Sequence, residues 1–380
     1  MTARTKSLKL VAANDTFGAL VAIGKALAGE QAVFITAPEV NGKMPETHGL
    51  PDEVSADTAL IIESSGSTGT PKRIHLSVEA LINSASASQL ALGGPGQWLL
   101  ALPVNYIAGA SVLLRSLVAE SQPLMLNTAL PFTSDAFVRA SSHMTGHPET
   151  GRRYTSLVPT QLHRLAAAAE DDTAVLEHLR RFDAILVGGQ APDRNLLAQL
   201  REAGVRLVET YGSTETCGGC FYDGKALDGV TARVASDGRI QLSGPVLANG
   251  VADSEGWFTT NDLGEIDAAG NLTVLGRLDR VIASGGIKVS LDAVETVIRA
   301  IGGVIDVAAT ALQNPEWGES VAVLYTGSPE VADYIAGAAL SELGVAAKPV
   351  RVIRVDAIPK LSNGKPDLLA IRDRFELSGE

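Results

Sequence analysis

Along much of the chain, short apolar runs bounded by turn residues alternate with longer stretches that hold few helix breakers. Val33-Phe34-Ile35-Thr36 and Thr58-Ala59-Leu60-Ile61-Ile62-Glu63 read as buried strands. A helix is expected from Ser77 to Leu90, with the Ser77 hydroxyl as N-cap acceptor for an open amide of the first turn. Trp98-Leu99-Leu100-Ala101-Leu102 is the next strand, stopped by Pro103; a helix over Ala110 to Glu120 and a strand at Pro123-Leu124-Met125-Leu126 follow. The alternation continues with a strand at Thr155-Ser156-Leu157-Val158 and a helix from Thr160 to Glu170. Then come a strand at Ala184-Ile185-Leu186-Val187, ending at Gly188-Gly189, a helix from Arg194 to Ala203, and a strand at Arg206-Leu207-Val208-Glu209. Strands alternating with helices imply parallel-type sheets covered on both faces, which bind ligands beyond the carboxyl ends of their strands.

From about Thr231 the pattern changes. Arg239-Ile240-Gln241-Leu242, Trp257-Phe258-Thr259-Thr260 and Asn271-Leu272-Thr273-Val274-Leu275 are short strands between turn-rich stretches, which is antiparallel patterning. Helices are expected at Leu291 to Ala300 and Pro329 to Leu343. A boundary at Leu278-Asp279-Arg280 divides the chain into residues 1–278 and 279–380. The expected class is α/β: a large N-terminal region of parallel-type βα sheets with a small antiparallel section, and a small α+β C-terminal domain.

The 380 residues exceed what one core usually fills, since single cores stop growing near ~250–300 residues. A formal charge of −12 argues against nucleic acid as the main partner and confines any phosphate chemistry to a local pocket. Only 4% of residues are aromatic while 38 are glycine, which points to tight turns and backbone-lined pockets. Cys217 and Cys220 are the only cysteines, too few for a disulfide framework. No signal-peptide pattern opens the chain and no apolar run reaches the ~18 residues of a membrane helix, so a cytoplasmic protein without membrane insertion is expected. The oligomeric state is open, a homo-oligomer included.

The richest segment is Ser64-Ser65-Gly66-Ser67-Thr68-Gly69-Thr70-Pro71-Lys72, read as lying between a strand and a helix. Small residues in succession let backbone N–H groups converge on an anion, and the hydroxyls add donors. It is not a Walker A loop: the Gly-Lys pair is missing, and Arg73 stands where Ser or Thr belongs. A plain Gly-Ser turn is the alternative, but it leaves Pro71-Lys72 unexplained.

Four later segments join this loop: Tyr211-Gly212-Ser213-Thr214-Glu215, Thr260-Asn261-Asp262, Gly276-Arg277-Leu278-Asp279-Arg280 with Gly285-Gly286, and Pro359-Lys360-Leu361-Ser362-Asn363-Gly364-Lys365. The set resembles, in order, the signature of the adenylate-forming enzymes, which include acyl-CoA synthetases and luciferases. The resemblance spans residues ~58 to 370 and implies an AMP-forming acid–thiol ligase that uses ATP, Mg2+ and coenzyme A. It implies that Ser64, Ser65, Gly66, Ser67, Thr68, Gly69 and Lys72 grip the triphosphate, with Gly212 and Ser213 nearby. Tyr211 would stack on adenine, Thr214 would bond the α-phosphate, and Glu215 would help hold Mg2+, a hard cation that prefers oxygen. Asp262 would accept from the ribose hydroxyls, supported by Arg277; here Asn261 stands where the family usually has glycine.

Lys365 is the implied adenylation lysine, stabilising charge that develops on the α-phosphate and the attacking carboxylate. The family rotates its small C-terminal domain between two half-reactions about a residue matching Asp279, which would withdraw Lys365 and bring Gly285-Gly286 to the thiol channel.

The acid is addressed by Leu102-Pro103-Val104-Asn105-Tyr106-Ile107-Ala108-Gly109, Val112-Leu113-Leu114-Arg115-Ser116, Ser156-Leu157-Val158-Pro159-Thr160-Gln161-Leu162 and Thr216-Cys217-Gly218-Gly219-Cys220. Together they resemble the o-succinylbenzoate–CoA ligases of menaquinone biosynthesis, in their compact actinobacterial form. That resemblance implies an acid site with Tyr106, Arg115, Thr160, Gly188, Gly189 and Gly219. Tyr106 replaces a frequent histidine, and Arg115 offers a bidentate partner for a second carboxylate, or is a surface arginine on a helix. A ligase for another aryl or short-chain acid, or a relative that releases no CoA thioester, stays open. Cys217 and Cys220 read as small pocket-lining residues rather than a zinc site. His143-Met144-Thr145-Gly146-His147 reads as a solvated loop.

Overall fold

The computed structural model describes residues 4–47, 49–64, 72–361 and 366–377, with Ser64 and Leu377 described by backbone alone. Four sheets succeed one another along the chain. The first is built from β1 (Thr5–Ala12), β2 (Ala32–Thr36), β3 (Glu53–Ser55), β4 (Thr58–Ser64) and β5 (Lys72–Ser77), in the order β3-β1-β2-β4-β5. Its β1, β2 and β4 are parallel, while β5 returns antiparallel to β4 with Ser64 opposite Lys72. The glycine-serine segment therefore joins two strands of a hairpin, not a strand and a helix. Arg73-Ile74-His75-Leu76 alternates polar and apolar residues, a period-2 signal that places a strand ahead of the Ser77 cap. Ser77 does cap the helix that follows, α2 in chain order, accepting from Ala80 N–H at 3.0 Å.

Helix α1 (Thr16–Leu27) precedes α2 (Val78–Ala91), and α3 (Ile107–Val118) follows it. The second sheet comprises β6 (Gln97–Leu100), β7 (Leu124–Met125), β8 (Arg153–Leu157), β9 (Ala184–Gly188), β10 (Leu207–Ser213), β11 (Gly218–Tyr222) and β12 (Lys225–Ala226). Its order is β12-β11-β10-β9-β8-β6-β7, parallel from β10 to β7 and antiparallel at the β10–β11–β12 edge. Helices α2 and α3 fill the space between the two sheets, where Ile62, Leu81, Leu113, Leu100 and Leu186 share one buried cluster. Against the other face lie α4 (Ser134–Ser142), α5 (Pro159–Asp171), α6 (Thr173–Arg180) and α7 (Arg194–Glu202), closing a second cluster around Phe137, Leu165, Leu179 and Ile185. The expected solvated loop at residues 143–147 is corrected here. His147 is only 6% exposed, its Nε2 bonding Ala119 O at 2.9 Å and its Nδ1 accepting from Glu149 N–H at 3.2 Å.

The third sheet, β13 (Thr231–Val234), β14 (Arg239–Ser243), β15 (Phe258–Ile266) and β16 (Leu272–Arg277), is antiparallel throughout. The fourth joins β17 (Val281–Ser284), β18 (Ile287–Ser290), β19 (Val304–Asn314) and β20 (Gly318–Gly327), with β21 (Arg351–Arg354) parallel to β20. One face of it packs α8 (Leu291–Arg299) and α9 (Ala332–Leu343) through Val294, Ile298 and Ile335. The other packs α10 (Leu368–Leu377) through Ile371 and Phe375. Both of these clusters are formed wholly by residues after 280. Mixed α/β architecture with parallel and antiparallel sheets is thus as the sequence predicts.

Candidate active site

At the carboxyl end of β10 the chain makes a tight reversal into β11. Tyr211 and Gly212 flank a register shift, and Thr214–Thr216 form one 3-10 turn that ends at Cys217 in a left-handed conformation, φ +54. Gly212 is required by close approach: a Cβ there would stand 2.1 Å from Gly218 O across the hairpin. Gly219 sits opposite Gly212, while Gly188 and Gly189 end the neighbouring β9, with Gly188 beside Thr210. Tyr106, half-buried, is the N-cap position of α3, and half-buried Thr160 lies in the first turn of α5.

Two consecutive amides tie three elements together. Ala248 N–H donates to Glu215 O at 2.8 Å and Asn249 N–H to His75 O at 2.9 Å. The β4–β5 hairpin, which carries Ser64 and Lys72 at its tip, is thereby held beside the turn that carries Thr214 and Glu215. Ser65, Gly66, Ser67, Thr68 and Gly69 lie outside the described residues, as does Lys365. Glu215 is half-buried, and among the described residues no three His, Cys, Asp or Glu side chains gather as a metal cage. A single half-buried carboxylate beside the β4–β5 hairpin fits Mg2+, which takes one or two protein carboxylates and completes its shell with phosphate oxygens and water.

A line of hydrogen bonds runs away from this turn. Tyr211 Oη donates to Asp262 Oδ2 at 2.8 Å, and Arg277 Nη1 donates to Asp262 Oδ1 at 3.1 Å. The same guanidinium grips Asp279 with both remaining nitrogens, Nε to Oδ1 at 2.9 Å and Nη2 to Oδ2 at 2.8 Å. Burial first, and then the Asp262 charge, push the Tyr211 hydroxyl far above its usual range, so it stays a donor. Hydrogen bonding from Arg277 holds Asp279 below the usual carboxylate range. Asp279 lies in the turn Leu278–Arg280; beside it Asp292 accepts from Arg277 N–H at 2.7 Å and pairs with Arg280.

The buried face of α3 carries a cation. Arg115 is 6% exposed, its guanidinium 5.1 Å from the centre of the Trp98 ring. A surface position on the helix is therefore ruled out. Trp98 and Tyr154 are the second residues of β6 and β8, so Arg115 sits deep along the sheet, apart from the Tyr211–Asp279 line. No carboxylate lies within ion-pair reach among the described residues, and a cavity of about 10 Å³, room for one water, adjoins it. Cys217 and Cys220 are packed into the cluster between the sheets, where burial pushes the Cys220 thiol up to about 12. Asn105 Oδ1 and Ser156 Oγ, both within segments read as addressing the acid, are buried without a hydrogen-bond partner among the described residues, as is Ser213 Oγ.

The AMP-binding enzyme family matches residues 5–276, and the chain belongs to that family. A relative described as a probable 2-succinylbenzoate–CoA ligase, from Mycobacterium tuberculosis, is 36% identical over 97% of this chain and 98% of its own length. The 2-succinylbenzoate–CoA ligase of Listeria monocytogenes is 28% identical over 84% of this chain and 70% of its own. Among solved structures, the o-succinylbenzoate CoA synthetase of Bacillus subtilis, in complex with its acyl-adenylate intermediate, superposes with a TM-score of 0.71 at 22% identity. It aligns with 93% of this chain, which spans 80% of it. An amide bond synthetase from Marinactinospora thermotolerans reaches 0.74 at 21% identity, over 97% of this chain and 80% of its own. At such identities the likeness is one of fold.

Proposed function

We propose that this protein joins 2-succinylbenzoate to coenzyme A at the expense of ATP, through an acyl-adenylate, as a step of menaquinone biosynthesis in the cytoplasm. The observation that carries the adenylation chemistry is the bonded line Tyr211–Asp262–Arg277–Asp279 beside the Glu215 turn. The identity of the acid rests on the near-full-length relatives named for that ligase.

In this reading the substrate carboxylate attacks the α-phosphorus, the bond to the β-phosphate oxygen breaks, and pyrophosphate leaves. The CoA thiolate then attacks the acyl carbon, and AMP departs with the oxygen the acid contributed. Asp262 accepts from both ribose hydroxyls while Arg277 and Tyr211 hold its carboxylate in place, and Thr214 donates to the α-phosphate. Lys72 and the hydroxyl-rich segment before it grip the triphosphate. Mg2+, held through Glu215, neutralises phosphate charge when bound. Lys365 supplies positive charge where it develops in the first step. Residues 279–380 form the mobile domain and Asp279 its hinge.

Arg115 takes no part in this reading: it packs on Trp98 near the start of β6, beside room for one water, away from the carboxyl ends where Tyr106, Thr160 and Gly188 gather. Tyr106, Thr160, Gly188, Gly189 and Gly219 line the acid site. A pyrophosphate-release assay over a panel of acids tests the assignment. 2-Succinylbenzoate should outperform benzoates and short fatty acids, and the reverse order overturns it. The amide bond synthetase among the structural neighbours keeps one rival in view, an adenylate-former that passes its acyl group to an acceptor other than CoA. Absence of a CoA thioester in the product mixture would favour that rival.

A further inference from the structure

Lys360 and Asp306 form an ion pair, Nζ to Oδ2 2.6 Å, with side chains 27% and 25% exposed. Asp306 stands at a register shift of β19 against β20, between Val304 and Asp306, and such irregularities re-aim a side chain out of the regular ladder. Its second oxygen, Oδ1, accepts from Val307 N–H at 2.9 Å, which fixes the carboxylate's orientation toward Lys360.

On the other side of the pair, Lys360 forms an isolated antiparallel bridge with Pro366. One step outward, Asp367 N–H donates to Pro359 O at 2.9 Å, so two successive residue pairs close the base of the segment between them. That base is anchored in turn. Ile358, 5% exposed, packs with Ala308, Leu324, Ile371 and Phe375, and Asp367 caps α10 by accepting from Ala370 N–H at 3.1 Å. Lys365 is bonded directly to Pro366, so whatever fixes Pro366 fixes the point from which Lys365 departs.

We propose that Asp306 is a positioning residue for the adenylation step: through Lys360 and the Lys360–Pro366 bridge it holds the attachment point of Lys365. The proposal rests on the reading of Lys365 as the adenylation lysine. Small displacements of a charge-stabilising group away from the reacting centre are costly in rate. An ion pair this exposed contributes little to global stability, so position and folding can be separated.

The test measures two half-reactions on the full-length protein. One is pyrophosphate release from ATP and acid; the other is thioester formation from supplied acyl-adenylate and CoA. Asp306→Asn keeps the shape and the Oδ1 acceptor but loses the charge. It should slow the first half-reaction about tenfold or more, and leave the second half-reaction, the KM for ATP and the melting temperature unchanged. The charge-swapped pair Asp306→Lys with Lys360→Asp should restore part of the loss. An equal loss in both half-reactions, or no loss in either, overturns the proposal. Lys365→Ala runs alongside. If it loses the first half-reaction selectively while Asp306→Asn does not, only the positioning role falls. If Lys365→Ala retains the first half-reaction, the reading of Lys365 falls and takes the proposal with it.

Discussion

Asp262 and Arg277 stand opposite one another across the β15–β16 ladder, and Arg277 Nη1 donates to Asp262 Oδ1 at 3.1 Å. Because the same guanidinium also clasps Asp279, one side chain connects the proposed ribose acceptor to the boundary turn. Tyr211 reaches Asp262 from a different sheet, so the acceptor is oriented from two directions before any nucleotide arrives.

Removing that acceptor should weaken nucleotide binding. Hydrogen bonds to a charged group contribute about 1.5–3 kcal/mol each, so Asp262→Ala should raise the Kd for a non-hydrolysable ATP analogue by about tenfold or more. Isothermal titration checks this, and an unchanged affinity contradicts the ribose role.

Arg115 should matter to packing rather than to the choice of acid. Arg115→Leu keeps an apolar stem against Trp98 but loses the charge. The KM values for 2-succinylbenzoate, benzoate and ATP should stay within about twofold of the parent, while the melting temperature shifts. A KM for 2-succinylbenzoate raised about 30-fold, or about 2 kcal/mol, with benzoate unaffected would place Arg115 in the acid site.

The thiols of Cys217 and Cys220 should be inert in the folded protein. An unfolded thiol ionises near ~8.5, whereas burial holds Cys220 protonated up to about 12 and Cys217 higher than its usual range. Folding stability from these groups is therefore fully present below the unfolded value and declines as pH rises through ~8.5 and beyond. A thiol reagent at mildly alkaline pH should label neither cysteine until denaturant is added. Rapid labelling of the native protein would show that the space between the sheets is open.

Much of this arrangement was legible in the residues. Tyr211, Asp262, Arg277 and Asp279 are named through the resemblance to the adenylate-forming enzymes, and the structure links them by hydrogen bonds. The parallel strands around Leu99, Thr155, Ile185 and Val208 were visible because apolar runs in a doubly covered sheet are nearly continuous. The β5 strand was missed since Lys72 to Ser77 is short, and a strong N-cap signal at Ser77 masked its period-2 alternation. The long β19–β20 hairpin escaped for a related reason: Val307 to Leu312 and Ser320 to Tyr325 are buried on both faces and lose alternation. Arg115 could not be placed from sequence, since burial of a lone cation is set by tertiary packing. His147 was misread for the same reason, since its partner Ala119 lies 28 residues away in sequence.

The central claim is that the acid is activated as an adenylate, and it is tested most directly by following oxygen. 2-Succinylbenzoate carrying heavy oxygen in its carboxylates is incubated with ATP, Mg2+, CoA and the protein, and the nucleotide product is weighed by mass spectrometry. Attack on the α-phosphorus predicts AMP carrying one heavy oxygen from the acid, together with unlabelled pyrophosphate and a 2-succinylbenzoyl-CoA thioester. Label in pyrophosphate or phosphate, with none in AMP, would contradict the account.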